Sequence, residues 1–269
     1  MIEYRGVHKA FDVPVLSGVD LVVHEGETLS IVGPSGTGKS VLLKTTIGLI
    51  TPDRGEVFID GQAVYTREPG ILEAIRRKVR YVFQYAALFD SMNVFENVAM
   101  GLPEGAEKIL GRHEVLRRVC ASLEMVNLEP HLILRKLPSE LSGGMRKRVG
   151  LARAIVAEPH IILYDEPVTG LDPVNAATVN GLIIAIAQKT KVTSIVVTHD
   201  IEGALEMSDR IALLDRGRLR FIGTPQEFRA CPDATVRAFA DRRVAAEVAM
   251  ALVNEESLSA HDDENGDDE

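Results

Sequence analysis

Apolar and polar positions alternate through the first part of the chain, at Ile2 and Tyr4 and again at Leu16, Val19, Leu21 and Val23, with turn signals at residues 12–14 and at Glu25-Gly26. This period over residues 1–32 predicts an antiparallel edge sheet. Thr28–Val32 reads as a short apolar strand and Val41–Ile50 as a helix, and TPDRGEVFIDG, residues 51–61, gives a strand between two turns. Leu72, Ile75 and Val79 fall at helical spacing beside Arg76, Arg77 and Lys78, and the apolar run VRYVFQ ends in the polar Gln84. From Tyr85 to about Pro138 the texture becomes helical. Asn93 and Glu96 read as a capping box for a helix through Val98 and Met100, and Leu116, Val119, Leu123 and Val126 form a stripe at the 3.6-residue period. A helix opens at Ser142 (LSGGMRKRVGLARAIVAEP) and runs to Pro159. Its basic run, Arg146 to Arg148, reads as a solvated face. Ile161–Asp165 (IILYD) is a continuous apolar strand that suits the centre of a parallel sheet. Asp172 caps a further helix with Pro173 in its first turn, the strand SIVV ends at Thr198-His199, and Ile211–Leu214 with Leu219–Ile222 close a hairpin around Arg216-Gly217. Phe228, Val236, Phe239, Val244, Val248 and Leu252 recur at mostly helical spacings.

Composition narrows this picture. A chain of 269 residues with 46% hydrophobic content can bury one large core or two smaller ones. No stretch approaches the length of a membrane span, and the start, MIEYRGVHKAF, lacks the apolar run of a secretory signal, so a cytoplasmic location is expected. The two cysteines, Cys120 and Cys231, stand alone without C-x-x-C spacing and read as small core residues rather than as a metal or disulfide site. Net charge is −9, but eight carboxylates and no Lys or Arg lie in Glu255–Glu269, so taking that −8 away leaves a body of −1. A neutral body with an acidic tail lacks the basic footprint of a nucleic-acid binder, and the tail, residues 254–269, is polar enough to be expected disordered.

The candidate chemistry begins at Gly33–Ser40, GPSGTGKS, which matches the phosphate-binding pattern G-x-x-x-x-G-K-[ST]. In that pattern backbone N–H groups converge on phosphate oxygens, and a side chain at Gly36 or Gly38 is expected to obstruct the approach. An apolar strand before the loop and a helix after it deliver the phosphates to a helix N-terminus, where unpaired N–H groups and the macrodipole favour anions. Lys39 supplies a point charge for the β- and γ-phosphates, and the Ser40 hydroxyl can ligate Mg²⁺. The Ser142-Gly143-Gly144 helix start is a second potential phosphate site in the same chain. Asp165 and Glu166 close the IILYD strand. Alternation along a strand would send Asp165 toward Mg²⁺ and Glu166 toward a water beside the γ-phosphate. Gln84 and His199 each follow an apolar strand, where ligands of open α/β sheets bind. Phe11 can stack on a purine, with an ordinary half-buried phenylalanine as the equal alternative.

With these pieces in one order, residues 2–240 resemble the ATPase subunit of ABC transporters. GPSGTGKS is similar to the Walker A loop, Gln84 to the Q-loop residue and LSGGM (Leu141 to Met145) to the family signature. IILYDEP is similar to Walker B with its catalytic glutamate, Gly170 to Asp172 to the D-loop, and His199 to the switch histidine. Met145 stands where the signature usually has Gln; Ser142, Gly143 and Gly144, the phosphate-facing part, are present. The resemblance implies an α/β fold: a P-loop NTPase core of RecA-like, mostly parallel sheet, with an N-terminal antiparallel β subdomain and an inserted α-helical subdomain. It divides the chain into residues 1–84 and 151–225 (the ATP-binding core), 85–150 (the helical subdomain with the signature), 226–253 (a C-terminal helical extension) and the tail.

The resemblance also implies ATP and Mg²⁺ as ligands and head-to-tail pairing of two subunits. One subunit would offer Phe11, Gly33, Pro34, Ser35, Gly36, Thr37, Gly38, Lys39, Ser40 and Val41, and the second Ser142, Gly143, Gly144 and Asp172. Ser40, Gln84 and Asp165 would lie at Mg²⁺, and Glu166, His199 and Gln84 would be catalytic. Within the family, GPSGTGKSVLLK, FQYAALFDSMNVFENVAMGL and LSGGMRKRV look like the ATPases of Mla/Mce-type phospholipid transporters. That likeness implies a separate integral membrane permease, docked at the FDSMNVFENV run, and an Mce-domain lipid-binding protein. It also implies a place on the cytoplasmic face of the inner membrane, and a second ATPase or small regulatory subunit against the extension, with packing on its own core as the equal alternative. An ATPase of an amino-acid or methionine-type importer is the alternative reading. A soluble, non-transport ABC protein is a more distant one, since neither a long coiled coil nor a second cassette is present.

Overall fold

The computed structural model describes residues 1–240. In chain order its elements are β1 (Ile2–Ala10), β2 (Pro14–Val23), β3 (Thr28–Val32), α1 (Lys39–Thr46), β4 (Arg54–Ile59), β5 (Gln62–Ala63), α2 (Ile71–Lys78) and β6 (Val79–Val82). There follow α3 (Val94–Ala99), α4 (Ala106–Leu110), α5 (Arg112–Met125), α6 (Pro130–Ile133) and α7 (Gly143–Ile155). The last part holds β7 (Ile161–Asp165), α8 (Pro173–Thr190), β8 (Thr193–Val197), α9 (Ile201–Met207), β9 (Arg210–Asp215), β10 (Arg218–Gly223), α10 (Pro225–Ala230) and α11 (Ala234–Ala240).

One sheet has the order β10-β9-β3-β8-β7-β6 and is parallel except for the β9–β10 hairpin; the other, β2-β1-β4-β5, is antiparallel. The strands β3, β7 and β8 are buried along their whole length, as their unbroken apolar runs require of strands covered on both faces. β7 shows the division: Ile162 and Tyr164 enter a core shared with α3, α5, α7 and α8, while Ile161 and Leu163 enter one shared with α1 and the antiparallel sheet. Burying both faces holds the carboxyl ends of β3, β6, β7 and β8 side by side, where the candidate residues lie.

Several sequence expectations shift. Thr28–Val32 joins β8 and β9 in the parallel sheet, so the antiparallel sheet takes only β1 and β2 from residues 1–32. β7 is interior but one strand from the edge, and β3 and β8 hold the centre. The helix after the phosphate loop stops at Thr46: Tyr65 Oη donates to the carbonyls of Thr45 and Ile50, and Gly48 turns the chain at φ +67. The helix expected to reach Pro159 stops at Ile155, with Glu158 left-handed at φ +50. In α5 the inward stripe is Val115, Val119 and Leu123; Leu116 is turned out, 41% exposed, because the face advances by four. The Asn93–Glu96 capping box forms as read. In the C-terminal part Phe228 and Val236 are fully buried against Val32, Ile211 and Leu213, with Phe239 packed on them, which is packing on the chain's own core. Val244, Val248, Leu252 and the acidic tail lie outside the described residues.

Candidate active site

The phosphate loop joins β3 to α1. Gly38 has φ +99, and a Cβ there would come within 2.9 Å of the Val15 carbonyl and of the Val15 and Leu16 side chains, so β2 is what forbids a side chain. Gly36 differs: nothing lies within 4 Å of its Cβ position, and the demand for glycine comes from φ +80 alone. Lys39 Nζ donates to the carbonyls of Gly33 and Pro34, both at 2.8 Å, and Thr37 Oγ1 donates to Pro34 O at 2.9 Å. Burial lowers the Lys39 pKa; the carboxylates of Glu166 and Asp165 oppose that shift.

Ser40 Oγ donates to Asp165 Oδ1 at 2.6 Å, and Tyr81 Oη donates to Asp165 Oδ2 at 2.6 Å. Burial, together with the hydrogen-bonded Asp165 carboxylate, pushes the Tyr81 hydroxyl far above the ordinary phenol range, so it stays a donor. A hydroxyl and a carboxylate at this spacing form a hard-oxygen donor pair. Among the described residues no group of three or more His, Cys, Asp or Glu could hold a metal. A cation here would complete its shell with phosphate oxygens and water, the manner in which Mg²⁺ is bound beside nucleotides, so these residues fit that ion.

Glu166 overturns the alternation argument. β7 ends at Asp165, and Glu166 is left-handed at φ +50, a conformation that costs a non-glycine residue on the order of 1 kcal/mol. Its N–H donates to Val197 O at 2.8 Å, which anchors it to the neighbouring β8. Its Oε2 accepts from Thr169 Oγ1 at 3.0 Å and lies 2.7 Å from His199 Nδ1. Turn geometry, not the pleat, therefore sends Asp165 and Glu166 to different partners.

These groups converge on a cleft of about 550 Å³ lined by Phe11, Lys39, Ser40, Gln84, Glu166 and His199 among others. Phe11 is 59% exposed at its rim, more open than a half-buried core residue. A larger hollow of about 760 Å³ lies at the opposite ends of β7 and β8, around His160, Lys189 and Lys191, and contains no phosphate-loop residue. Ser142, Gly143 and Gly144 do not line the phosphate cleft. They open α7, where Ser142 Oγ accepts from Met145 N at 3.2 Å, and they abut the start of α8. A Cβ on Gly144 would meet Asn175 Oδ1 at 2.5 Å, and Asn175 Nδ2 donates to Asp172 Oδ2. Met145 packs on the helical core.

The basic run of α7 is a solvated face only in part: Arg146 is exposed and Arg148 half-buried, but Lys147 between them is buried. Arg146 donates to Leu141 O at 2.6 Å and Arg148 to Asn127 O at 2.9 Å. Lys147 is 9% exposed and donates to the backbone carbonyl of Gln84. Farther along α7, Arg153 donates to the carbonyls of Ala86 and Ala87, both left-handed residues. Sequence reasoning missed Tyr81, Lys147 and Arg153. The signal for Lys147 was its helical phase: it shares a face with the buried Gly144, Leu151 and Ala154.

Residues 16–169 match the family model described as ABC transporter. The chain is 42% identical over 235 residues to the sulfate/thiosulfate import ATP-binding protein CysA of Caulobacter vibrioides, covering 86% of this chain and 67% of that one. It is 38% identical over 262 residues to the probable ribonucleotide transport ATP-binding protein mkl of Mycobacterium leprae, covering 97% and 74%. Among solved structures it resembles the dimeric bacterial ABC transporter cassette MJ0796, with a TM-score of 0.74, 32% identity and coverage of 84% of this chain and 99% of that chain. The same cassette has been seen as a dimer in a post-hydrolysis state bound to ADP and Pi, at a TM-score of 0.73. A glycine loop that can cradle phosphates, an oxygen pair that fits Mg²⁺ and a family match over more than half the chain agree: this chain belongs to the ABC transporter family, as an ATP-binding subunit that hydrolyses ATP with Mg²⁺.

Proposed function

We propose that two copies of this chain pair head to tail, each closing the other's phosphate cleft with Ser142, Gly143, Gly144 and Asp172, and that the pair drives transport through a separate membrane permease. The observation that supports this most is the separation, within one chain, of the phosphate cleft from the α7 N-terminus. Neither half alone surrounds a triphosphate.

In this reading Phe11 stacks on the adenine, and the Gly33–Ser40 loop with the start of α1 binds the phosphates. Val41 lines the same cleft. Lys39 moves its ammonium from the Gly33 and Pro34 carbonyls to phosphate oxygens. Ser40, Asp165 and Gln84 hold Mg²⁺, which when bound neutralises charge on the phosphates and orients them. Glu166 accepts the proton of the attacking water, and His199, 2.7 Å from its Oε2, fixes the carboxylate and reaches the γ-phosphate. No residue forms a bond to phosphorus; positioning and electrostatics do the work. Glu166→Gln removes the base and keeps the shape. Turnover should fall by at least about 100-fold while ATP holds the chain as a dimer in size-exclusion chromatography; near-normal hydrolysis would exclude Glu166 as the base.

For the cargo we infer a phospholipid, with an Mce-domain protein and a small regulatory subunit beside the permease on the cytoplasmic face of the inner membrane. The support is the sequence likeness through residues 83–102 and the signature. Among the described residues no helix is long and apolar enough to cross a membrane, so a partner would supply the span. A solute importer is the second reading, favoured by relatives named for sulfate/thiosulfate and Fe(3+) import. Purification from native membranes decides between them: an Mce-domain protein and bound phospholipid in the complex supports the first, a solute permease alone the second.

A further inference from the structure

Tyr81 is not among the residues that line the phosphate cleft, yet its hydroxyl bonds to Asp165 beside it. Tyr81 stands on β6 opposite Leu163 of β7, three positions before Gln84, with its ring against Phe83 at a centroid distance of 4.5 Å. Asp165, at the end of β7, is 6% exposed. Among the described residues its carboxylate takes one hydrogen bond on each oxygen, from Ser40 at Oδ1 and from Tyr81 at Oδ2. The two donors come from different elements: Ser40 from the helix that follows the phosphate loop, Tyr81 from the strand that leads to Gln84. A carboxylate held at both oxygens cannot rotate about its Cβ–Cγ bond without losing one of them. With the Ser40 proton committed to Asp165, the lone pairs of Ser40 Oγ remain for a cation.

We propose that Tyr81 is a positioning residue for the Mg²⁺ site, fixing the plane of the Asp165 carboxylate so that Asp165 and Ser40 present their oxygens together to the nucleotide-bound ion. The inference rests on the reading of Asp165 and Ser40 as the metal-side residues. It makes β6 a member of the site in its own right: the strand that ends at Gln84 also sets the geometry of the carboxylate on its neighbour. Without the Tyr81 hydroxyl, Oδ2 is left without a donor in a buried setting, and the carboxylate can turn toward other donors and away from Ser40.

Tyr81→Phe tests this on the full chain, because the ring and its contact with Phe83 are retained. The readout is the dissociation constant of a fluorescent ADP measured with Mg²⁺ and again in EDTA. The ratio of the two should shrink by about tenfold in Tyr81→Phe, in line with loss of a hydrogen bond to a charged group, while affinity in EDTA stays at the parent value. A ratio equal to the parent's, or equal weakening in both conditions, overturns the proposal; a lowered melting temperature with an unchanged ratio is the outcome of a purely structural role. In an Asp165→Asn background the tyrosine substitution should change the ratio no further, and an independent additional loss also overturns it. Should Asp165→Asn itself leave the ratio intact, the metal-side reading of Asp165 fails, which is distinct from failure of the tyrosine alone.

Discussion

Two glycine-flanked helix N-termini, those of α1 and α7, carry the candidate phosphate contacts, and they are built differently. α1 starts after the left-handed Gly38 with no side-chain cap, and an ammonium group is buried at its mouth against two carbonyls. α7 starts after Ser142, whose own hydroxyl already satisfies the Met145 N–H. Its nearby cations are turned back onto backbone carbonyls, Arg146 onto Leu141 and Lys147 onto Gln84. An uncapped start keeps its donors and its charge for an anion, whereas a capped one has little to gain from a free phosphate. The first suits an anchor, and the second suits a group that completes a site already holding its ligand.

The largest effects should come from disabling one terminus at a time. Lys39→Ala should abolish measurable nucleotide binding. Ser142→Ala should leave binding to the single chain intact and stop turnover; loss of the cap costs about 1 kcal/mol, visible as a small drop in melting temperature. Mixed in equal amounts, the two inactive variants should recover about a quarter of the parental ATPase, since random two-fold pairing makes half the dimers mixed and gives each one intact composite pocket. No recovery on mixing, with both variants folded and dimerising, would break the division of labour between the two termini.

How much of this was legible in the sequence follows the distance over which each feature is specified. The phosphate loop, the Asn93–Glu96 capping box and the Asp172 cap are local, and residue order alone places them. The family resemblance supplied the company of Gln84, Glu166 and His199. What the chain did not declare are contacts between elements far apart in sequence: Tyr81 with Asp165, 84 positions away, and Lys147 with Gln84, 63 positions away. A run such as Arg146 to Arg148 reads as solvated because charge is local, but the burial of Lys147 within it is decided by the loop that folds over that one side chain. For Glu166 the argument from strand alternation fails, because the strand stops one residue earlier and a left-handed turn takes over.

Lys147 offers a way to sharpen the comparison, because it ties the helix of the second terminus to the loop that lines the first cleft. Replacing it with Met keeps the length and removes the donor to the Gln84 carbonyl, while Arg153 still holds Ala86 and Ala87. Turnover should fall about threefold, the cost of one modest hydrogen bond, with nucleotide affinity unchanged and Lys147→Arg restoring the rate. Stability should fall by about 1 kcal/mol, since the Gln84 carbonyl loses its donor, with relief of the desolvation that lowers the Lys147 pKa offsetting part of the loss. A fall in affinity equal to the fall in rate would place Lys147 in binding and dissolve the link between the two termini.

The smallest effect concerns the proton on Lys39. Burial depresses its pKa in the nucleotide-free chain, so on the alkaline side part of the population has already lost the proton. Bound phosphate favours the ammonium and raises that pKa again. Between the lower and the higher value binding must therefore take up a fraction of a proton, and affinity must decline as pH rises through that window. The nucleotide's own phosphates, with a second ionisation near pH 6, are already fully ionised there and contribute nothing. Titration calorimetry in two buffers of different ionisation enthalpy should show proton uptake that grows as the pH is raised from neutral into the alkaline range. In Lys39→Arg the uptake should vanish, because a guanidinium keeps its proton throughout. Uptake that persists in Lys39→Arg would mean that another group titrates, and the anchoring terminus would owe its affinity to the backbone donors of the loop rather than to a buried charge.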